Sequence, residues 1–309
     1  MKHNKKKVTV KIKIIIVAYV AILSWIVIES TGEVWKKNYN ISTDIELNQE
    51  SNETKELQNP KLDNSGYLTL AEDPNAEDAL QVNANTEGLI KKTLNYPVRK
   101  DGKKVAYLTF DDGPSTSNTP AVLDVLNNYG IKATFFLVGR EIDSGEDAQR
   151  VLRRTVKEGH AIGNHTYGHN YSYLYPNRTI NLNNFMADIE KTNESLRKVL
   201  GKDFSTRVIR FPGGYWSWEG RSGIRPTIDE KGEAIIDWNA LAGDAEGNSP
   251  KNADQLVART KQTVDDLGPN ADSIVCLMHD TYGKEQTVKA LPRIIELFKQ
   301  KGFEFRSMK

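Results

Sequence analysis

From Val105 to the C-terminus, short apolar runs alternate with amphipathic stretches, and that rhythm leaves few architectures open. The runs Val105–Phe110, Ala133–Val138, Val208–Phe211, Ala234–Trp238, Ser273–Met278 and Phe303–Arg306 read as buried strands. Between them, Thr119–Tyr129, Ala148–Glu158, Asn184–Leu200, Ala253–Leu267 and Thr287–Lys301 carry helical periodicity. Gly130, Gly159, Gly201 and Gly302 stand where helix C-terminal caps belong. Strands separated by helices imply crossover connections and a parallel α/β sheet. The pattern alone does not distinguish a barrel from an open, doubly wound sheet.

The residues that end these strands are ionisable. The first strand runs into Asp111-Asp112-Gly113, and the segment from Ala161 runs into His165-Thr166-Tyr167-Gly168-His169. The Val208 strand meets Arg210-Phe211-Pro212-Gly213, the Ala234 strand leads to Asp244, and the Ser273 strand leads to His279-Asp280. Strand C-terminal ends are where parallel β/α folds assemble their sites, and strand stability does not call for charges there. Of 5 histidines in the chain, His165, His169 and His279 fall at strand ends, whereas His160 reads as structural. His165 and His169 have three residues between them, so both imidazoles can reach one metal, and a carboxylate would complete a facial set. Asp111 and Asp112 repel one another, and a solvated Asp-Gly turn is the plain reading of such a pair. A nearby cation changes this: one carboxylate binds it, the other stays free as a base, and Arg210 is the candidate to hold that base.

The N-terminal third differs. Lys2, Lys5, Lys6, Lys7, Lys11 and Lys13 precede an uncharged apolar run, Ile14 to Ile28, that lacks a small-residue cleavage pattern. Residues 1–28 are therefore expected to be a basic cytoplasmic tail and an uncleaved single-pass anchor at the cell membrane, with the rest extracellular. Between Glu29 and Ile90 lie thirteen acidic residues against four lysines, with much Asn, Ser and Thr. Residues 29–98 are expected to form a disordered stalk, and residues 99–309 the catalytic domain. A net charge of +1 and the absence of basic blocks beyond the start argue against a nucleic-acid partner. Cys276 is the only cysteine, which excludes a disulfide framework and a thiolate-rich metal site; it reads as a buried small hydrophobe.

The strand-end residues are similar to five ordered motifs of the polysaccharide deacetylases, the NodB-homology group of carbohydrate esterase family 4. Thr109-Phe110-Asp111-Asp112-Gly113 resembles the first motif, His165 to His169 the second, and Arg210-Phe211-Pro212-Gly213-Gly214 the third. Asp237-Trp238-Asn239 through Asp244 resembles the fourth, and Leu277-Met278-His279-Asp280 the fifth. The resemblance spans roughly two thirds of the chain and implies a distorted (β/α) barrel. It implies Asp112, His165 and His169 as ligands of a divalent metal, usually zinc, with Asp111 as general base and His279 as general acid. Arg210 would orient Asp111, Asp244 would pair with His279 and raise its pKa, and Leu277 would help form the acetyl-methyl pocket. The activity implied is removal of N-acetyl groups from N-acetylhexosamine units of a cell-wall glycan, with peptidoglycan N-acetylglucosamine favoured by the anchor.

Tyr215, Trp216 and Trp218 after the third motif, and Tyr171, Tyr173 and Tyr175 after the second, are candidate sugar platforms. Two positions depart from the family pattern. Ala245 follows Asp244 where a Trp is frequent, so either Trp238 or Trp216 supplies that wall or the pocket is more open. Gly213 stands where many members carry Tyr, although its backbone N–H can still face an oxyanion. N-acetylmuramic acid, a chitin-like polymer, an exopolysaccharide or an acetylated xylan is the alternative substrate. A silent wall-binding module and a hydrolase of another bond are the alternatives of a different class.

Overall fold

A computed structural model of the chain describes residues 66–247 and 249–309. In chain order its elements are β1 (Ala76–Glu77), α1 (Ala79–Ile90), β2 (Val105–Gly113), α2 (Asn118–Tyr129), β3 (Thr134–Leu137), α3 (Gly139–Ile142), α4 (Glu146–Lys157) and β4 (Ala161–Asn164). There follow α5 (Tyr171–Leu174), α6 (Leu182–Leu200), β5 (Val208–Ile209), α7 (Arg221–Glu230), β6 (Ala234–Ile235) and β7 (Ala240–Leu241). The chain closes with α8 (Ala253–Asp266), β8 (Ser273–His279), α9 (Glu285–Gln300), β9 (Glu304–Phe305) and β10 (Ser307–Met308).

The main sheet is parallel throughout and runs β6-β5-β4-β3-β2-β8-β7, with β9 added beside the start of β2. It curls into a half-barrel whose two ends, β6 and β7, are consecutive in sequence but not paired. Alternation along β2 shows how the two faces are used. Ala106, Leu108 and Phe110 pack with Phe135, Ile274 and Cys276 against the outer helices. Val105 and Tyr107 turn the other way, into a concave core with Phe136, Val208, Ile236 and Val275. Thr109 and Asp111 continue that inward parity, and both are fully or nearly fully buried. Because every strand runs in one direction, all C-terminal ends open on one edge. The register pairs Asp111 directly with His279.

The five expected helices are present, displaced by at most two residues at their starts, while α1 and α7 were not expected. In α7, Gly223 and Pro226 obscure the pattern although Ile224 and Ile228 bury one face. For α1 the miss corrects the expected stalk. The polar stretch assigned to residues 29–98 is built into the domain from Gly66 onward. Its buried positions are Ala79, Val82, Asn83, Thr86 and Gly88, spaced as one helical face but mostly small or polar. Composition therefore hid an amphipathic helix that shape alone makes fit. Asp78 caps it by accepting from the Leu80 N–H at 2.8 Å. Ala79 and Val82 plug the base of the concave core. β1 pairs with β10, and Arg99 forks onto Glu77 at 2.8 Å through both terminal nitrogens. The expected anchor, residues 14–28, lies outside the described residues. Among those described, no helix is long and apolar enough to cross a membrane.

His160 is buried against the Phe135 ring and accepts the Ala133 N–H at 3.1 Å, as a structural histidine should. Cys276 is likewise a fully buried core residue. Removing β1 and α1 should unroof the concave core. A chain starting at residue 95 is expected to lose on the order of 3–5 kcal/mol relative to one starting at residue 66. For a domain of this size that lowers Tm by about 10 °C, readable by calorimetry; equal melting temperatures would refute the role given to α1.

Candidate active site

Asp111 and Asp112 sit where β2 leaves its pairing with β3. The register shifts between Asp111 and Gly113, and Asp112 adopts a left-handed conformation with φ of 69°. Adjacent residues of a regular strand would point to opposite faces, whereas this bulge lets both carboxylates serve one site. His165 and His169 come from the loop after β4, Arg210 from the end of β5, Asp244 from the loop after β7, and His279 from the end of β8.

Asp112 Oδ1 lies 3.5 Å from His165 Nε2 and 3.2 Å from His169 Nε2. One donor atom from each of the three falls within 4.8 Å of the others. Asp112 Oδ1 is buried and has no hydrogen-bond partner among the described residues. His165 Nδ1 is 2.8 Å from the Arg210 carbonyl. A carbonyl can only accept, so Nδ1 carries the hydrogen and Nε2 turns a bare lone pair toward Asp112. Burial, aided by the neighbouring His169, pushes the His165 pKa down to about 3 and keeps it a neutral imidazole. A bare carboxylate oxygen and two convergent imidazoles match the donor set of a divalent-metal site.

Asp111 is held differently. Arg210 Nη1 donates to Asp111 Oδ1 at 2.7 Å and to Thr109 Oγ1 at 2.8 Å, and Nε donates to the Ile236 carbonyl at 2.8 Å. Burial pushes the Asp111 carboxyl above the ordinary carboxylate range, against the pull of Arg210 and His279. Its second oxygen, Oδ2, is 3.6 Å from His165 Nε2 and faces the site. Across from it, His279 Nδ1 meets Asp244 Oδ1 at 2.9 Å, and the His279 N–H donates to Asp244 Oδ2 at 2.8 Å. Burial disfavours the imidazolium, but Asp244, with Asp111 and Asp112 behind it, raises the His279 pKa to about 9. Its free nitrogen, Nε2, is 4.0 Å from Asp112 Oδ2.

Seven residues singled out in the sequence thus converge. Leu277 shares the inward parity of Val275 and His279 and is 9% exposed. Gly213, at φ 76°, has Trp218 and Tyr171 at 3.1 and 3.3 Å from where a Cβ would stand, so their rings fill the space of a side chain there. Tyr171 lies 5.3 Å ring to ring from His169 and is 46% exposed. Tyr215 and Trp216 make no hydrogen bond or ring contact with the seven. Tyr215 is buried against Phe211, and Trp216 packs beneath Lys91 and Arg221. Trp238, in contrast, stands over Gly214 and 5.6 Å from the Arg210 guanidinium. Thr109 and Thr287 were missed: Thr287 donates to Asp244 Oδ2 at 2.8 Å from a helix 43 residues away, and no local pattern marks it.

Residues 98–224 match the family model described as polysaccharide deacetylase. A peptidoglycan-N-acetylglucosamine deacetylase of Bacillus cereus is 32% identical over 234 residues, covering 75% of this chain and 79% of that one. The chain belongs to the polysaccharide deacetylase family. It is a hydrolytic deacetylase with the curled sheet and strand-end site of that family. A chitooligosaccharide deacetylase of Sinorhizobium fredii is 31% identical, covering 70% of this chain and 98% of its own. The solved structure of a Streptococcus mutans CE4 esterase superposes with a TM-score of 0.67 at 34% identity, covering 76% of this chain and 92% of that one.

His169→Ala is expected to weaken zinc binding, read by calorimetry, by more than the ~100-fold typical of losing an outer partner. Unchanged affinity would displace the metal from this set. Asp244→Asn removes what raises the His279 pKa, so that pKa falls from about 9 toward ~6.5. The protonated acid is then lost at lower pH, and the alkaline limb of the pH–rate profile moves to lower pH. A profile that does not move would exclude His279 as the acid.

Proposed function

We propose that the protein is a zinc-dependent N-deacetylase of N-acetylglucosamine units in peptidoglycan, held at the outer face of the cell membrane by its N-terminal segment. The observation that carries this reading is a base and an acid facing each other across a metal-ready triad. Asp111 is fixed by Arg210 at 2.7 Å, and His279 by Asp244 at 2.9 Å. The B. cereus relative and the lysine-flanked apolar run favour peptidoglycan over a soluble oligosaccharide.

Asp112, His165 and His169 would hold the ion, which when bound polarises the acetamide carbonyl and makes water a stronger acid. Asp111 takes the proton of the attacking water through Oδ2, because Oδ1 is occupied by Arg210. Its raised pKa makes it a stronger base than an exposed carboxylate. The Gly213 N–H, unused by any hydrogen bond among the described residues, is available to the developing oxyanion. As the C–N bond breaks, His279 Nε2 gives its proton to the leaving amine, and Nδ1 stays paired with Asp244. The products are acetate and a free amino sugar. Leu277 would border the acetyl methyl, and the exposed ring of Tyr171 offers a face for the pyranose, backed by Trp218, which is itself buried against Tyr175.

The test is acetate release from purified peptidoglycan by the full chain, with zinc, with a chelator, and in Asp111→Asn. Metal-dependent release that falls by ~100- to 10,000-fold in the variant is the expected outcome. Release from chitin oligomers or xylan but not from peptidoglycan would move the substrate, and none from any acetylated glycan would favour a silent binding module.

A further inference from the structure

Asp280 takes no part in the chemistry above, yet it is 0% exposed and lies directly behind the Asp111-Asp112-Gly113 turn. Its carboxyl packs on the Gly113 α-carbon so closely that a Cβ there would stand 2.7 Å from Oδ1 and 2.8 Å from Oδ2. Its backbone N–H donates to the Asp111 carbonyl at 3.3 Å. One residue therefore touches both neighbours of Asp112. The other side of the turn is held by the Val138 N–H, which donates to the Gly113 carbonyl at 2.9 Å.

Asp280 is itself fixed from the start of α2. Thr119 accepts the Ser115 N–H at 2.8 Å, which orients its own hydroxyl to donate to Asp280 Oδ2 at 2.6 Å. The Ser115 hydroxyl donates to the Asp280 carbonyl at 2.7 Å. Oδ1, by contrast, is buried with no hydrogen-bond partner among the described residues. A buried, half-satisfied carboxyl is destabilising by itself, so local stability does not account for it. The left-handed Asp112 does need an explanation, since a non-glycine residue in that region persists only where its surroundings over-determine it.

We infer that Asp280 is a positioning residue, anchored by Thr119, that holds the Asp112 bulge in the conformation that aims its carboxylate at His165 and His169. The inference rests on reading Asp112 as a metal ligand, and its consequence is that Asp280 sets metal affinity without touching the metal. Because Asp280 follows His279, the same contact ties the acid's strand to the ligand's turn.

Zinc affinity of the full chain, measured by competition with a chelating dye alongside the melting temperature, tests this. Asp280→Ala is expected to bind zinc ~10- to 100-fold more weakly at an unchanged Tm, the range seen when outer support of a ligand is lost. Asp280→Asn, which keeps the shape and the acceptor for Thr119, should restore most of the affinity. If Asp280→Ala fails to fold, Thr119→Val carries the test with the same direction expected. Folded Asp280→Ala or Thr119→Val protein with wild-type affinity overturns the inference alone. A wild-type chain that binds no zinc overturns it together with the metal centre.

Discussion

The buried guanidinium of Arg210 is the contact on which the site depends. It is the largest fully buried side chain among the described residues, and it reaches β2 through Asp111 and Thr109 and the end of β6 through the Ile236 carbonyl. The Phe136 ring lies 4.0 Å from it, so its flat face meets an aromatic and its edge meets acceptors. Replacing such an ion pair with apolar residues often costs a fold nothing, so stability is a poor account of it. What it supplies is direction: one oxygen of Asp111 is occupied and the other is left for chemistry. The same residue's carbonyl sets the His165 tautomer, so Asp111 and His165 are oriented from one point.

Around that point the parallel sheet does the assembling. The pairing of β2 with β8 sets Asp111 opposite His279, and the loop after β7 brings Asp244 behind the imidazole. Two carboxylates then experience opposite environments. Asp111 is pushed up by burial, whereas Asp244, equally buried, is pulled down by its hydrogen bonds from His279 and Thr287. An inward-facing carboxyl and an imidazole whose pKa is raised follow from where the strands end, the pairing that the proposed base and acid roles require.

Much of this was legible in the chain. Five helices appear where apolar periodicity placed them, and the charged residues at strand ends are those that converge. The failures share a cause. In α1, Thr86, Asn83 and Gly88 fill buried positions, so a periodicity scale that counts only large apolar residues passes over it. Tyr215 and Trp216 read as open platforms because they follow the third motif, but a short 3₁₀ turn over Tyr215–Ser217 carries Tyr215 inward against Phe211. Thr287 and Asp280 were not assigned roles because each acts through a partner distant in sequence: Asp244 for one, and Thr119 and Gly113 for the other.

The sequence alone marked the ionisable residues at strand ends and the parallel strands that bring those ends to one edge, while the division into ligand, base and acid was implied by the resemblance of its five motifs. It could do so because side-chain chemistry and the period of apolar residues are local properties. Which oxygen of Asp111 is free, which nitrogen of His165 is bare, and how α1 closes the base of the core were decided only by tertiary structure. Those outcomes depend on burial and on hydrogen bonds between residues far apart in sequence, such as Arg210 and Asp111, 99 positions apart, and no local pattern encodes them.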